Sequence, residues 1–163
     1  MKPTLRNIKD SDGYHITSII NYFTKNSFAA FPNKEVGIEF FIALKKEAIA
    51  FYMLEINKEP VGFCCLRKYN PFETFSHTGL LTYFILPEYT KKGFGTLMLS
   101  QLINDAESNG INNLLACIAS QNIQSIKFHE KHGFIECGRF KNVGYKFNQF
   151  FDLVWMQKFL TES

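Results

Sequence analysis

Hydrophobic positions along the chain change their period several times, and each change marks an element. Residues 4–8 read as a short apolar strand, followed by Asp10-Ser11-Asp12, a dense set of N-cap residues. Ile16, Ile19, Ile20 and Phe23 then recur at helical spacing and predict a helix to about Lys25. Asn26 to Pro32 breaks the period as a loop, and Pro32-Asn33 opens a second helix with Val36, Phe40 and Leu44 on one side. From Ile49 the texture is that of strands: 49–56 and 61–68 form an antiparallel hairpin around Asn57-Lys58-Glu59-Pro60. Tyr69 to His77 is a loop long enough to reach over a site.

Residues 78–86 form a further strand, and 93–108 a long amphipathic helix with Leu97, Leu99, Leu102 and Ile103, closed by Asn109-Gly110. A buried strand over 113–119 follows. Gln121-Asn122 opens the last helix, with Ile126 on its apolar side, which ends at His132-Gly133; 135–141 and 150–158 are the final strands. The order β-α-α-β-β-β-α-β-α-β-β predicts one α/β domain over 1–163, built on a single mixed sheet with about four helices and without repeats or linkers.

Composition narrows the partners more than it changes the fold. With 46% hydrophobic residues and 18 Phe, the chain can fill a core and also line an aromatic pocket. The net charge of +3 comes from scattered basic residues, which argues against nucleic acid as a main partner. Cys64, Cys65, Cys117 and Cys137 show neither a CxxC pair nor a Cys/His ligand spacing, so no metal and no disulfide framework is expected. Reduced cysteines, with no signal peptide and no apolar run of membrane-spanning length, predict a cytoplasmic protein without a membrane partner.

The most informative stretch is 80–96. An apolar strand runs into a proline stop, two lysines and Gly93-Phe94-Gly95, and then directly into a helix. Free backbone N–H groups and two cations at a helix N-terminus form a cradle for a phosphate. The turn lacks the third glycine of a dinucleotide fingerprint and the Gly-Lys-Ser/Thr of a P-loop. His129 lies four residues beyond Ser125 and seven beyond Asn122, so the three share one helix face.

Leu86-Pro87-Glu88-Tyr89 before the turn, and Asn122-x-x-Ser125-x-x-x-His129-Glu-Lys-x-Gly133-Phe134 after the next strand, resemble both signature segments of the GNAT family of N-acetyltransferases. The resemblance spans nearly the whole chain. Asn-Pro-Phe-Glu-Thr-Phe at 70–75, His129 where most of the family has Tyr, and Gly144-Tyr145-Lys146-Phe147 with Asp152 and Trp155-Met156-Gln157 look most like the phosphinothricin and methionine sulfoximine acetyltransferase branch.

The resemblance implies transfer of acetyl from acetyl-CoA to the primary amine of a small amino-acid-like substrate. It implies a sheet splayed between the fourth and fifth strands, at 78 and 113. Pantetheine would bond the backbone of Tyr83, Phe84 and Ile85, with Asn122 assisting. The pyrophosphate would rest on Lys91, Lys92, Gly93, Phe94, Gly95 and Thr96. His129 takes the place of the family's acid, and its ordinary titration range suits donation to a thiolate. The resemblance also implies a homodimer.

Two positions depart from the family. Thr90 replaces the usual Gln or Arg, removing a phosphate contact, and Leu80 stands where the branch has its glutamate base. A water chain, Glu73 or His77 then takes the amine proton, or the amine arrives neutral, or the chemistry is lost. The loop with Phe28 and Phe31, the loop with Phe75, and the segment from Tyr145 to Asp152 are expected to wall the acceptor pocket. Lys146 and Asp152 would be its charged members, while Asn148 and Phe150 stand where Gly and Trp are common. The competing readings are a peptide or protein N-terminal acetyltransferase and a catalytically silent acyl-CoA-binding protein.

Overall fold

Two hairpin turns fix the register of much of the sheet in the computed structural model, which describes residues 1–160. Asn57 and Lys58 both take left-handed backbone, φ 52° and 71°, in the two-residue turn whose twist suits antiparallel strands. They join β2 (Ala48–Ile56) to β3 (Glu59–Lys68), with Ile56 opposite Glu59. Phe147 and Asn148, at φ 52° and 59°, do the same between β6 (Ile135–Lys146) and β7 (Gln149–Phe159).

With β1 (Pro3–Asn7), β4 (Thr78–Ile85) and β5 (Asn113–Ala119) these strands form one seven-stranded sheet in the order β1-β2-β3-β4-β5-β7-β6. Every neighbouring pair is antiparallel except β4 and β5. The helices are α1 (Gly13–Asn26), α2 (Ile38–Glu47), α3 (Phe94–Ser108) and α4 (Ile123–Lys131).

Each face of the sheet carries its own core. Ile16 and Ile20 of α1 and Phe41 and Leu44 of α2 pack on Phe51, Met53 and Phe63. Met98, Leu99, Leu102 and Ala106 of α3 cover Leu54, Leu66, Leu114 and Met156 on the other face, and Phe128 of α4 joins them. Leu97, which the helical pattern placed inward, is exposed. No helix among the described residues is long and apolar enough to cross a membrane.

Local departures from the sequence reading have identifiable causes. Asp12 does not cap α1 with its side chain; its carboxylate accepts from Arg6 at 2.8 and 2.9 Å and from the Lys9 N–H at 2.8 Å. The second helix opens at Ile38 and not at Pro32-Asn33. Val36 is held outside it by Asn21, whose side chain accepts from the Val36 N–H at 2.8 Å and donates to its carbonyl at 3.0 Å. β6 continues to Lys146, past the expected end at Lys141, because Asn142 at φ 52° and a register shift between Phe140 and Gly144 absorb the irregularity. A Cβ at Gly144 would lie 2.1 Å from the Phe151 ring, so only glycine allows that aromatic to lie across the strand.

Asn21→Ala removes both bonds to the Val36 backbone and is expected to lower the unfolding free energy by about 1–3 kcal/mol. Urea denaturation measures it; an unchanged midpoint would show that the segment before α2 is held by packing alone.

Candidate active site

β4 and β5 stay paired over three rungs only, Thr78 with Asn113, Gly79 with Leu114 and Leu80 with Leu115. From Leu81 onward β4 keeps its bonds to β3 and leaves β5. A cavity of about 680 Å³ opens in this wedge, lined by both strands, by α4, by the turn before α3 and by the segment after α1.

At one end lie Lys91, Gly93, Gly95 and Thr96. Gly93 has φ 85° and caps α3 with no side chain to satisfy the first-turn N–H groups, and a Cβ there would meet nothing within 4 Å. Lys91 also takes a left-handed backbone, φ 60°. A Cβ at Gly95 would come within 3.2 Å of the Phe128 ring, so this glycine lets α3 approach α4. Lys131 and His132 of the α4 end complete a basic, N–H-rich rim.

The middle of the cavity holds Tyr83 and His129. The imidazole Nδ1 is 2.7 Å from the Ser125 carbonyl, which assigns the ring hydrogen to that nitrogen. Nε2 is therefore an acceptor, and the Tyr83 hydroxyl donates to it. The two rings stack with centroids 5.5 Å apart, and Phe134 meets the imidazole edge-on at 4.9 Å. Burial pushes His129 down to about 4, with the Ser125 carbonyl only partly opposing it, and pushes the Tyr83 phenol up. The expected near-neutral titration of His129 is thus corrected: the imidazole is uncharged at neutral pH. Asn122 caps α4, its side-chain oxygen accepting from the Ser125 N–H at 3.3 Å, and also lines the cavity.

Aromatic residues Phe23, Phe31 and Phe40 also line the cavity, as does Leu80. Among the described residues the cation on this side is Arg67 of β3, which donates from Nε to Thr82 Oγ1 at 3.2 Å and from Nη1 to the exposed Glu47 at 3.3 Å. No Asp or Glu among the described residues lines the cavity.

The cavity brings together Phe31, Tyr83, Phe84, Ile85, Lys91, Gly93, Gly95, Thr96, Asn122 and His129 from the positions singled out by sequence. Others lie elsewhere. Lys92 turns to the Tyr89 ring, and Phe94 is buried in the core. Phe28 packs on Phe147 and Phe151 behind the pocket wall. Glu73, Phe75, His77 and Tyr145 are exposed and outside the lining. Lys146 is buried with its ammonium donating to the Ser27 and Ala30 carbonyls, each at 2.7 Å. Asp152 accepts from Arg139 at 3.1 Å and from the Asn142 N–H at 2.9 Å. These two charges hold loops in place and do not face the cavity. Sequence reasoning passed over Arg67, Thr82, Lys131 and the Tyr83 side chain. Arg67 had a signal, the first of two cations directly after the apolar run Val61–Leu66.

Comparison with known proteins agrees with this geometry. Residues 16–134 match the acetyltransferase (GNAT) family. The chain is 28% identical to the L-amino acid N-acyltransferase MnaT of Escherichia coli K12, covering 98% of this chain and 95% of that protein. It is 29% identical, with the same coverage, to the L-methionine sulfoximine/L-methionine sulfone acetyltransferase of Salmonella typhimurium. Among solved structures it is similar to yncA of Salmonella typhimurium with its cofactor acetyl-CoA, at a TM-score of 0.86 and 28% identity over 99% of this chain and 95% of that one. A single cavity in the splay of a mixed sheet, a helix N-terminus presented to it and a match over 16–134 converge: the chain belongs to the GNAT acetyltransferase family.

Proposed function

We propose that this protein transfers acetyl from acetyl-CoA to the primary amine of a small, amino-acid-like acceptor. The observation that carries the reading is the polarity of the one wedge cavity, cationic and N–H-rich at the α3 end and aromatic with a lone arginine at the other. The α3 end suits the pyrophosphate, through the backbone of 91–96 and Lys91. The free edge of β4 over 81–85 suits pantetheine as the strand that β5 fails to supply. At the aromatic end Arg67 matches an acceptor carboxylate by a bidentate contact, the role the sequence had given to Lys146. Relatives named for L-amino acids and methionine sulfoximine support an acceptor of this class.

The chain's own contribution is alignment. Backbone and aromatic walls hold amine and thioester in line. With no carboxylate in the lining, the amine reacts in its neutral form and sheds its proton to water. That same absence motivates the second reading, an acyl-CoA-binding protein without turnover. A homodimer and a cytoplasmic setting belong to the proposal as well. Ile135, Phe140 and Val143 lie exposed on the edge strand β6, a face a second copy would cover, and the cysteines are free.

Three outcomes check these statements. Thiol release from acetyl-CoA with a panel of amino acids, methionine sulfoximine and phosphinothricin is expected; acetyl-CoA binding without release from any of them would establish the silent reading. Arg67→Ala is expected to raise KM about tenfold for a carboxylate-bearing acceptor and to leave KM unchanged for the matching amine without the carboxylate. An equal rise for both would remove Arg67 from carboxylate recognition. Finally, because the folded His129 titrates near 4 and the unfolded near 6.5, the unfolded chain binds the extra proton between those values. Stability is therefore full above about pH 6.5 and falls by about 3 kcal/mol toward pH 4. His129→Gln should lack that component in denaturant titrations over the same range.

A further inference from the structure

A departing thiolate needs a proton, and Tyr83 carries one in the middle of the cavity. His129 has one ring hydrogen, and the Ser125 carbonyl at 2.7 Å holds it. Its other nitrogen is occupied as an acceptor by the Tyr83 hydroxyl. The mobile proton of the pair is therefore the phenolic one, and it sits on β4 beyond the last rung shared with β5.

We infer that the Tyr83 hydroxyl, and not His129, protonates the coenzyme A thiolate as it leaves, with His129 acting as a positioning residue that holds the phenol in the wedge. The inference rests on the acetyl-transfer reading. In the step, nitrogen of the neutral amine bonds the acetyl carbon and the carbon–sulfur bond breaks. The sulfur takes the phenolic proton, water takes the proton the nitrogen sheds, and water restores the phenol. A single O–H can serve both acceptors, Nε2 at rest and sulfur once it carries charge, because a hydrogen bond to an anion is roughly twice as strong as one between neutral groups. Burial raises the proton affinity of the phenol, and it raises that of a thiol in the same cavity as well, pushing Cys117 up to about 11. The titratable groups that act on the pair are Cys64 of β3 and His132 at the end of α4.

Kinetics and a binding measurement test this separately. Tyr83→Phe keeps the ring stack and is expected to lower kcat about 100-fold with little change in the affinity for acetyl-CoA. His129→Gln, which retains an acceptor for the phenol, should keep activity within about tenfold of wild type, while His129→Phe should fall as far as Tyr83→Phe. Equal loss in both His129 variants with an active Tyr83→Phe would return the proton to His129 and overturn the inference. Independently of turnover, the thiol of bound coenzyme A can be titrated by its thiolate absorbance. Tyr83→Phe should weaken its acidity about tenfold relative to wild type, and an unchanged titration would overturn the inference even if Tyr83→Phe folds poorly enough to lose activity. A wild-type chain that shows the shift yet releases no thiol with any acceptor would place the failure in the acetyl-transfer reading and leave the contact standing.

Discussion

The rest of the structure depends on the failure of β4 and β5 to remain paired beyond Leu80. A parallel pair with three rungs leaves the second half of β4 bonded on one side only, and an unpaired strand edge inside a fold must find donors and acceptors elsewhere. α4 keeps the gap open. His129, almost fully buried, stacks on Tyr83 of one wall and meets Phe134 edge-on, so closing the wedge would have to expel an imidazole packed between aromatic rings. An extended substrate arm that supplies backbone-like groups is the natural occupant of such a gap. The cleft is thus an unfinished sheet.

Electrostatics divide that cleft without any ion pair across it. The α3 end gathers positive potential from a helix N-terminus and from lysines on the two flanking elements. The middle is nearly neutral: an uncharged imidazole, an un-ionised phenol and a cysteine thiol pushed up by burial. In a region of low dielectric a carboxylate would itself be pushed toward its neutral form unless paired. Leu80, at the position where the resemblance implies a glutamate base, lines the cavity as an apolar side chain that carries no such cost.

Much of this was legible in the sequence, and the boundary of legibility is physical. The α3 turn could be read because its requirements are local: a left-handed residue, free N–H groups and a helix that follows at once. Asn122 and His129 could be placed because helical spacing alone puts them on one face. Side chains whose targets lie far along the chain could not. Nothing near Lys146 indicates that its ammonium will be spent on the carbonyls of Ser27 and Ala30, more than a hundred residues earlier. Nor does anything near Val36 reveal that Asn21 will hold it out of a helix. The turn at Phe147-Asn148 was missed for a different reason: an aromatic at its first position disguises a left-handed pair that Gly or Asn would announce.

Lys146 also links the acceptor end to a distant part of the sheet. Its buried ammonium fixes the loop after α1, while Phe28 packs on Phe147 and Phe151 and Phe31 stacks on Phe151 at 6.4 Å. The wall of the acceptor pocket is therefore shaped by the β6–β7 hairpin, although apart from Phe31 none of these residues lines the cavity. Burial lowers the proton affinity of Lys146, yet two carbonyl acceptors at 2.7 Å reward the charged form, so removing either loop carbonyl or the ammonium would release both partners together. Changes in the hairpin can retune which acceptor fits without touching the chemistry in the wedge. The cradle and the Tyr83–His129 pair are built from other elements, β4, α4 and the turn before α3. In the proposed reaction, acceptor fit thus depends on the β6–β7 hairpin and acetyl transfer on β4 and α4.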